Sequence, residues 1–269
     1  MIEPAPFDVL AAGYDAGFSQ SLTGRAQRNA SRVWLQHFLL YKGPLRILEI
    51  NCGTGDDALW LASLGHYVVA TDQSDYMIQE ATLKSAQADL AIKPTFITAD
   101  FDELGTTLGT QRFDLVFSNF AGLNCVAPHE LSAFTNTLQE LLTDEGHLAA
   151  VIFGKYCWWE TCYYLFKADT RNAFRRWKHK PAMARLANDV FQPVFYYSVA
   201  QFVKNLRPLL LREKRPVGLF IPPSYMEHNM QKHARFFSLL VKLEKMIRRS
   251  SVGSSFADHT YILLQKHVP

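Results

Sequence analysis

Two glycines one residue apart, with a carboxylate one strand further on, mark where this chain can do chemistry. An apolar run over residues 45–50 leads into Leu48-Glu49-Ile50-Asn51-Cys52-Gly53-Thr54-Gly55. A helical pattern follows, and Asp72 ends the next apolar run. Glycines at this spacing let the backbone bend tightly and approach a ligand without obstruction by Cβ. The free N–H groups at the start of the following helix sit over the same spot. A carboxylate one strand away can accept bonds from both hydroxyls of a ribose. The combination describes a site for a cofactor that contains adenosine.

Gly53-Thr54-Gly55-Asp56-Asp57-Ala58 also fits the G-x-G-x-x-A pattern of dinucleotide sites, and Asp72 lies near the distance that pattern expects. A nicotinamide-dependent oxidoreductase is therefore a rival reading. Charge argues against it. Glu49 stands just before the glycines, where a pyrophosphate would meet a carboxylate. Asp56 and Asp57 add two more acids at the helix start, the place a diphosphate would occupy. The third strand also ends in an acid, Asp100. A ligand carrying a sulfonium and an ammonium but no phosphate suits this surround, and S-adenosylmethionine is such a ligand.

The elements that must hold these residues alternate. Short runs rich in Val, Ile and Phe at 45–50, 67–71, 95–98, 113–118 and 147–153 read as strands buried on both faces. Helical patterns lie between them. One over 56–64 stops at Gly65, a second over 74–88 begins with a capping Ser74, and a third over 128–142 ends in the turn-like Thr143-Asp144-Glu145-Gly146. This rhythm predicts a doubly wound, mostly parallel sheet. A helix over 24–41 precedes it. After Phe153 the rhythm breaks into an aromatic stretch, 155–197, that reads as a mostly helical insertion. A helix over 198–206, a strand within 209–220, a helical insertion over 225–249 and a last strand at 260–265 complete the pattern.

Composition is that of an ordinary globular chain. Of 269 residues, 48% are hydrophobic and 20% charged, enough for a large core without staples. The net charge of +3 is too small to argue for nucleic acid. Cys52, Cys125, Cys157 and Cys162 form no CxxC and no zinc spacing, so free thiols in a cytoplasmic protein and no metal are expected. No stretch is long and apolar enough for a membrane span, and the first residues do not read as a signal peptide.

With these motifs in view, the chain resembles the class I S-adenosylmethionine-dependent methyltransferases of small-molecule type. Residues 48–55 resemble the glycine-rich first motif, Val69-Ala70-Thr71-Asp72 the second, Thr98-Ala99-Asp100-Phe101 the third and Phe113-Asp114-Leu115-Val116-Phe117-Ser118-Asn119-Phe120 the fourth. Phe7-Asp8-Val9-Leu10-Ala11-Ala12-Gly13-Tyr14-Asp15 resembles a lead-in seen in many members. Asn51 departs from the glycine common at its position, and Asn is the non-glycine residue that best tolerates positive φ. The resemblance implies a Rossmann-like seven-stranded sheet with an antiparallel last strand and a helical, aromatic-rich cap. On this reading residues 1–154 hold the N-terminal helices and cofactor half, 155–197 the cap, and 198–269 the rest of the sheet.

It also implies site roles. Glu49 and the turn Asn51, Cys52, Gly53, Thr54 and Gly55 would hold the methionine portion. Asp72 would take the ribose, and Gln73 and Met77 would flank ribose and adenine. Asp100 and Phe101 would meet the adenine, while Asn119 and Phe120 would border the methyl-transfer zone. Tyr14, with Arg28 as a further candidate, would reach the cofactor carboxylate. The product would be S-adenosylhomocysteine.

The acceptor is expected against the insertion. Trp158, Trp159, Glu160, Tyr163 and Tyr196 are its candidate contacts; the alternative for the tryptophans is a plug packing the insertion onto the sheet. Glu160, Tyr163, Tyr196, His129 and His228 are candidate general bases, and none is singled out. A basic cluster spans 167–180, with Lys167, Arg171, Arg175, Arg176, Lys178 and Lys180. It reads first as a solvated helix face and second as a surface for an anionic carrier protein or membrane. Lys242, Lys245, Arg248 and Arg249 form a weaker basic patch. A small or lipid-like metabolite is the expected acceptor, with RNA or a carrier-bound substrate a minority reading. A protein that binds the cofactor without catalysis is a third hypothesis beside the oxidoreductase.

Overall fold

The computed structural model describes residues 5–178, 180–187, 189–247 and 250–267. Seven strands form one sheet: β1 (Arg46–Ile50), β2 (Tyr67–Asp72), β3 (Thr95–Thr98), β4 (Phe113–Ser118), β5 (Leu142–Phe153), β8 (Leu210–Val217) and β9 (His259–Gln265). A separate hairpin pairs β6 (Ala182–Ala187) with β7 (Val190–Val194). The sheet order is β3-β2-β1-β4-β5-β9-β8. The first five strands are parallel, and β9 runs antiparallel between β5 and β8. The order reverses between β1 and β4, so a crevice opens beyond their carboxyl ends.

Alternation within the buried strands makes two cores. Leu48, Ile50, Val116, Leu148 and Ile262 pack on one face of the sheet. Ile47, Leu115, Phe117, Ala149 and Tyr261 pack on the other. Each of the Leu, Ile, Val and Phe side chains among them, fully buried, contributes roughly 1.5–3 kcal/mol. Helix starts follow local chemistry. Ser21 Oγ accepts from Gly24 N at 2.9 Å at the head of Leu22–Leu39, and Ser74 Oγ accepts from Met77 N at 3.2 Å at the head of Asp75–Gln87. Gly55, at φ 79°, begins Asp56–Ser63. A Cβ there would lie 2.9 Å from both Ala81 and the Phe96 ring, so this glycine serves the packing of helix on sheet.

Two expectations change. The turn-like Thr143-Asp144-Glu145-Gly146 lies inside β5 as an irregularity, with pairing jumping from Phe113–Leu142 to Leu115–His147. The stretch 155–197 is helical only in its first part, with Trp158–Phe166, Thr170–Ala173 and a 3-10 turn, Arg175–Trp177. Its second part is the β6–β7 hairpin. Pro193 cannot sit in a helix interior, and the Val190-Phe191-Gln192-Pro193-Val194 run favours an edge strand. Beyond β8 the helices Glu227–Lys232 and Ala234–Met246 cover the sheet; of the weaker basic patch, Arg248 and Arg249 lie outside the described residues.

Candidate functional site

A cavity lies at the strand reversal, beyond the ends of β1, β2 and β4. Every residue assigned to the cofactor from the sequence lines it except Gly55, which is occupied in packing. Asn51 takes φ 53°, and its amide ties two strand ends together: Nδ2 donates to Asn119 O at 3.0 Å and Oδ1 accepts from Ser118 Oγ at 2.7 Å. A Cβ at Gly122 would fall 2.1 Å from the Asn51 Cγ, so the amide needs a glycine opposite it. The asparagine therefore holds the turn in place of the common glycine.

Asp72 braces the same turn. Its Oδ2 accepts from Gly53 N at 2.8 Å and its Oδ1 from Ser74 N at 3.0 Å. Each oxygen keeps a second lone pair for a ligand hydroxyl. Met77 is buried beside it, and Gln73, Asp100 and Phe101 continue the wall; Phe101 N donates to Asp100 Oδ1 at 2.6 Å. Thr54, buried in the same wall, donates its hydroxyl to Asp15 Oδ1 at 2.6 Å. Lys84 joins Asp15 at 2.7 Å, and Ser74 Oγ donates to Asp8 Oδ1. These contacts latch the N-terminal segment across the cavity and bring Phe7 and Tyr14 into its wall. Tyr14 follows a π-helical turn's lead, with Asp15–Ser19 directly after it. Burial, partly opposed by Arg28, pushes the Tyr14 hydroxyl up to about 12.

The acidic surround is more selective than the sequence implied. Asp57 is filled by Arg28 Nη1 at 2.8 Å, Arg32 Nε at 2.6 Å and Asn119 Nδ2 at 2.8 Å, and Asp56 is held by Lys84 at 2.7 Å. Glu49 is different. It is 2% exposed, and its Oε2 is buried without a hydrogen-bond partner. The Nε of Arg28 is a second buried orphan, and its guanidinium stands 4.9 Å from the Phe120 ring centre. An unpaired carboxylate oxygen and an unpaired guanidinium N–H in one cavity fit a ligand with an ammonium and a carboxylate, as an amino-acid end has. Arg28, a candidate from the sequence, is held in the cavity wall by Asp57, 29 residues later, a pairing that only the fold makes.

Burial, with Asp57 adding to it, raises the Glu49 carboxyl well above the ordinary range against the pull of Arg28 and Arg32. Burial likewise raises Asp72, partly offset by its two backbone bonds. A group with a raised folded-state pKa stabilises the free protein at low pH and loses that contribution as pH rises through the raised value. A cationic ligand favours the ionised form, so binding releases a proton. The cofactor's affinity should therefore climb with pH above about 4.3, the ordinary Glu value, by up to about tenfold per pH unit until Glu49 ionises unaided. Calorimetric titration over a pH series, with Glu49→Gln flattening the slope, measures this. An affinity independent of pH in both proteins would remove Glu49 from the ligand contact.

A second cavity, of about 540 Å³, adjoins the first. Phe7, Tyr14, Phe120, Ala121 and Cys125 line both. Of the five candidate acceptor residues, Tyr196 lines it. Trp158 donates Nε1 to Leu219 O, and Trp159 packs on the sheet core, as a plug would. Glu160 is buried in an ion network with Arg175 and Arg176, and Tyr163 packs against Tyr164 and Tyr225. His129 and His228 are exposed, away from both cavities. The basic cluster also divides. Arg175 and Arg176 turn inward to Glu160, while Lys167, Arg171, Lys178 and Lys180 stay exposed. Pairing with a buried carboxylate outweighs hydration for those two. Sequence reasoning missed Asp258 and His259, which line the second cavity; neither sits in a motif, so no local signal marks them. Phe7 was visible within the lead-in but had no role assigned.

Residues 47–146 match the family model described as a methyltransferase domain. The chain thus carries a methyltransferase domain over these residues. The cavity at the strand reversal is this domain's candidate site for S-adenosylmethionine. The domain is 28% identical over 108 residues to thiocyanate methyltransferase 1 of Brassica oleracea, covering 40% of this chain and 46% of that protein. It is 30% identical over 116 residues to a Geobacillus sp. (strain WCH70) protein named as a methyltransferase, covering 43% and 45%. The chain thus spans about half the length of these curated relatives. In fold it is similar over the full length of both chains to the CcbJ methyltransferase from Streptomyces caelestis, with a TM-score of 0.65 and 16% identity. Among the described residues no His, Cys, Asp and Glu side chains gather as a metal site, and no helix is long and apolar enough to cross a membrane.

Proposed function

We propose that this chain transfers the methyl group of S-adenosylmethionine to a small, largely apolar acceptor seated in the second cavity. One observation carries the reading: the two cavities share a wall of Phe7, Tyr14, Phe120, Ala121 and Cys125, so an acceptor can reach the donor end of the first. When bound, the cofactor supplies an electrophilic methyl group on a sulfonium. The residues then have to orient that group and exclude water. Glu49 and Arg28 hold the amino-acid end, and Asp72 fixes the ribose. The Phe120 and Phe18 rings, 4.9 Å apart centre to centre, border the shared wall and suit a cation. The latched segment 5–19 keeps bulk water from the junction.

Charge in the second cavity supports a neutral acceptor. Arg175 and Arg176 line it, but Glu160 and Asp258 neutralise them through contacts of 2.7–3.0 Å. Val9, Leu10, Phe18, Leu186 and Val194 supply apolar wall. Exposed Lys167, Arg171, Lys178 and Lys180 line neither cavity, whereas the apolar second cavity suits a free metabolite.

Incubating the protein with methyl-labelled cofactor and small-molecule fractions of a cell extract tests this. Label should enter an organic-soluble product in at least one fraction. Binding of the cofactor with no labelled product in any fraction would leave a binding protein, and a melting shift with NADPH but none with S-adenosylmethionine would leave an oxidoreductase.

A further inference from the structure

We infer that His259, positioned by Asp258, takes the proton of the methyl acceptor; this rests on the methyl-transfer reading above and narrows the acceptor to one with an ionisable O–H, N–H or S–H. His259 opens β9 and lines the second cavity, not the first. Phe120, which lines both, presents its edge to the imidazole with ring centres 5.8 Å apart. Phe153 stacks on the imidazole with ring centres 4.5 Å apart. The ring is thus clamped one aromatic side chain away from the cofactor cavity.

Its two nitrogens are distinct. Nδ1 is sealed from solvent and stands 3.3 Å from Asp258 Oδ2, an ion-pair distance without an aligned hydrogen bond. Such contacts commonly tighten only in the reacting complex. A proton on Nδ1, facing that carboxylate, leaves the lone pair on Nε2. Asp258 is itself fixed: Oδ2 accepts from Gln27 Nε2 at 2.9 Å and Oδ1 from Arg176 Nη2 at 2.7 Å. Burial alone would raise its carboxyl, but His259 and Arg176 outweigh burial and hold it far below the ordinary range. An ionised Asp258 is therefore ready to stabilise an imidazolium.

The step balances. A lone pair on the acceptor atom forms the new bond to the methyl carbon, the S–CH3 bond breaks, and its electron pair stays on the sulfur, now a neutral thioether. The acceptor's proton passes to His259 Nε2 and leaves to solvent after product release. Besides Asp258, the charged and titratable groups lining this cavity are Tyr14 from the N-terminal segment, Cys125 after β4, Arg175, Arg176 and Tyr196 from the stretch after β5, and Tyr225 from the loop after β8; Glu160 pairs with the arginines. The arginines are matched by Glu160 and Asp258, so His259 is the group in the cavity that offers a ring-nitrogen lone pair to a proton.

The test compares wild type, His259→Gln and His259→Ala in single-turnover transfer of labelled methyl to the extract fraction that accepts it. Both variants should lose about 10²-fold or more at neutral pH while binding S-adenosylhomocysteine as tightly as wild type within about threefold. Their residual rates should rise with pH more steeply than the wild-type rate, as the acceptor ionises unaided. Millimolar imidazole should restore part of the His259→Ala rate. Transfer within about threefold of wild type overturns the inference, and so does a loss that neither rising pH nor imidazole reverses, since that assigns the ring to packing. Failure of wild type to transfer label from any fraction is a different result, which removes the methyl-transfer reading itself.

Discussion

Asp72→Ala abolishes the rise in melting temperature that S-adenosylmethionine or S-adenosylhomocysteine gives the wild-type protein. Asp72 keeps a lone pair on each oxygen after accepting from Gly53 N and Ser74 N. Two hydrogen bonds from ribose hydroxyls to a charged acceptor contribute roughly 1.5–3 kcal/mol each, so their joint loss weakens binding by about 10²-fold or more. A ligand stabilises the folded state only as far as its concentration exceeds its Kd, and a shift of this size disappears at moderate cofactor concentration. The same substitution leaves the Gly53 and Ser74 amides without their acceptor, which lowers the variant's own stability. The shift must therefore be read against the ligand-free variant. Asp72→Asn, which keeps one oxygen, should retain part of it. An undiminished shift in Asp72→Ala would show that the ribose is not held here.

Glu160→Ala should lower the melting temperature by about 6–12 °C without altering that cofactor shift. Glu160 is 1% exposed and receives Arg175 Nε at 2.7 Å, Arg175 Nη2 at 2.8 Å and Arg176 Nε at 3.1 Å. Arg176 also donates to Asp258, at Oδ1 and at the backbone oxygen, so the network joins Trp158–Phe166 to the start of β9. Removing one member of a buried ionic network costs about 3–5 kcal/mol, because the cations left behind stay desolvated. Arg175 is a third exposed and Arg176 keeps Asp258, which argues for the lower end, about 3 kcal/mol. At about 2–4 °C per kcal/mol for a chain of this size, the drop is measurable by calorimetry. Glu160 lines neither cavity, so the ligand response should survive. A melting temperature within about 2 °C of wild type would mean that water or rearrangement replaces the carboxylate.

The cofactor half was legible because its signals are local. Glu49, the turn after it and Asp72 sit at strand ends, where an apolar run stops and a glycine or acid follows. Strand pairing then places Glu49 beside Ala70 and Ile50 beside both Thr71 and Ser118, which brings the motifs to one crevice. Ser74 announced its helix by its own side chain. The hairpin at 182–194 escaped because its aromatic composition outweighed Pro193 in the reading. Trp158, Trp159 and Glu160 looked substrate-facing from their place after β5, but their helix turns them toward the sheet and the arginines.

The sequence by itself determined the order of strands and helices in the cofactor half, the glycine turn and the acids that suit a cationic adenosine cofactor. These depend on periodicity and on residues within one turn or one strand of each other. Tertiary structure alone decided which charges remain free. Asp57 is cancelled by Arg28 and Arg32 from a helix 25 to 29 residues earlier, while Glu49 keeps an unpaired oxygen. It alone brought Arg176 and Asp258, 82 residues apart, into contact beside His259 and set that imidazole against Phe120. Pairing and burial across such separations arise only when the sheet closes, and they leave no periodic trace in the chain.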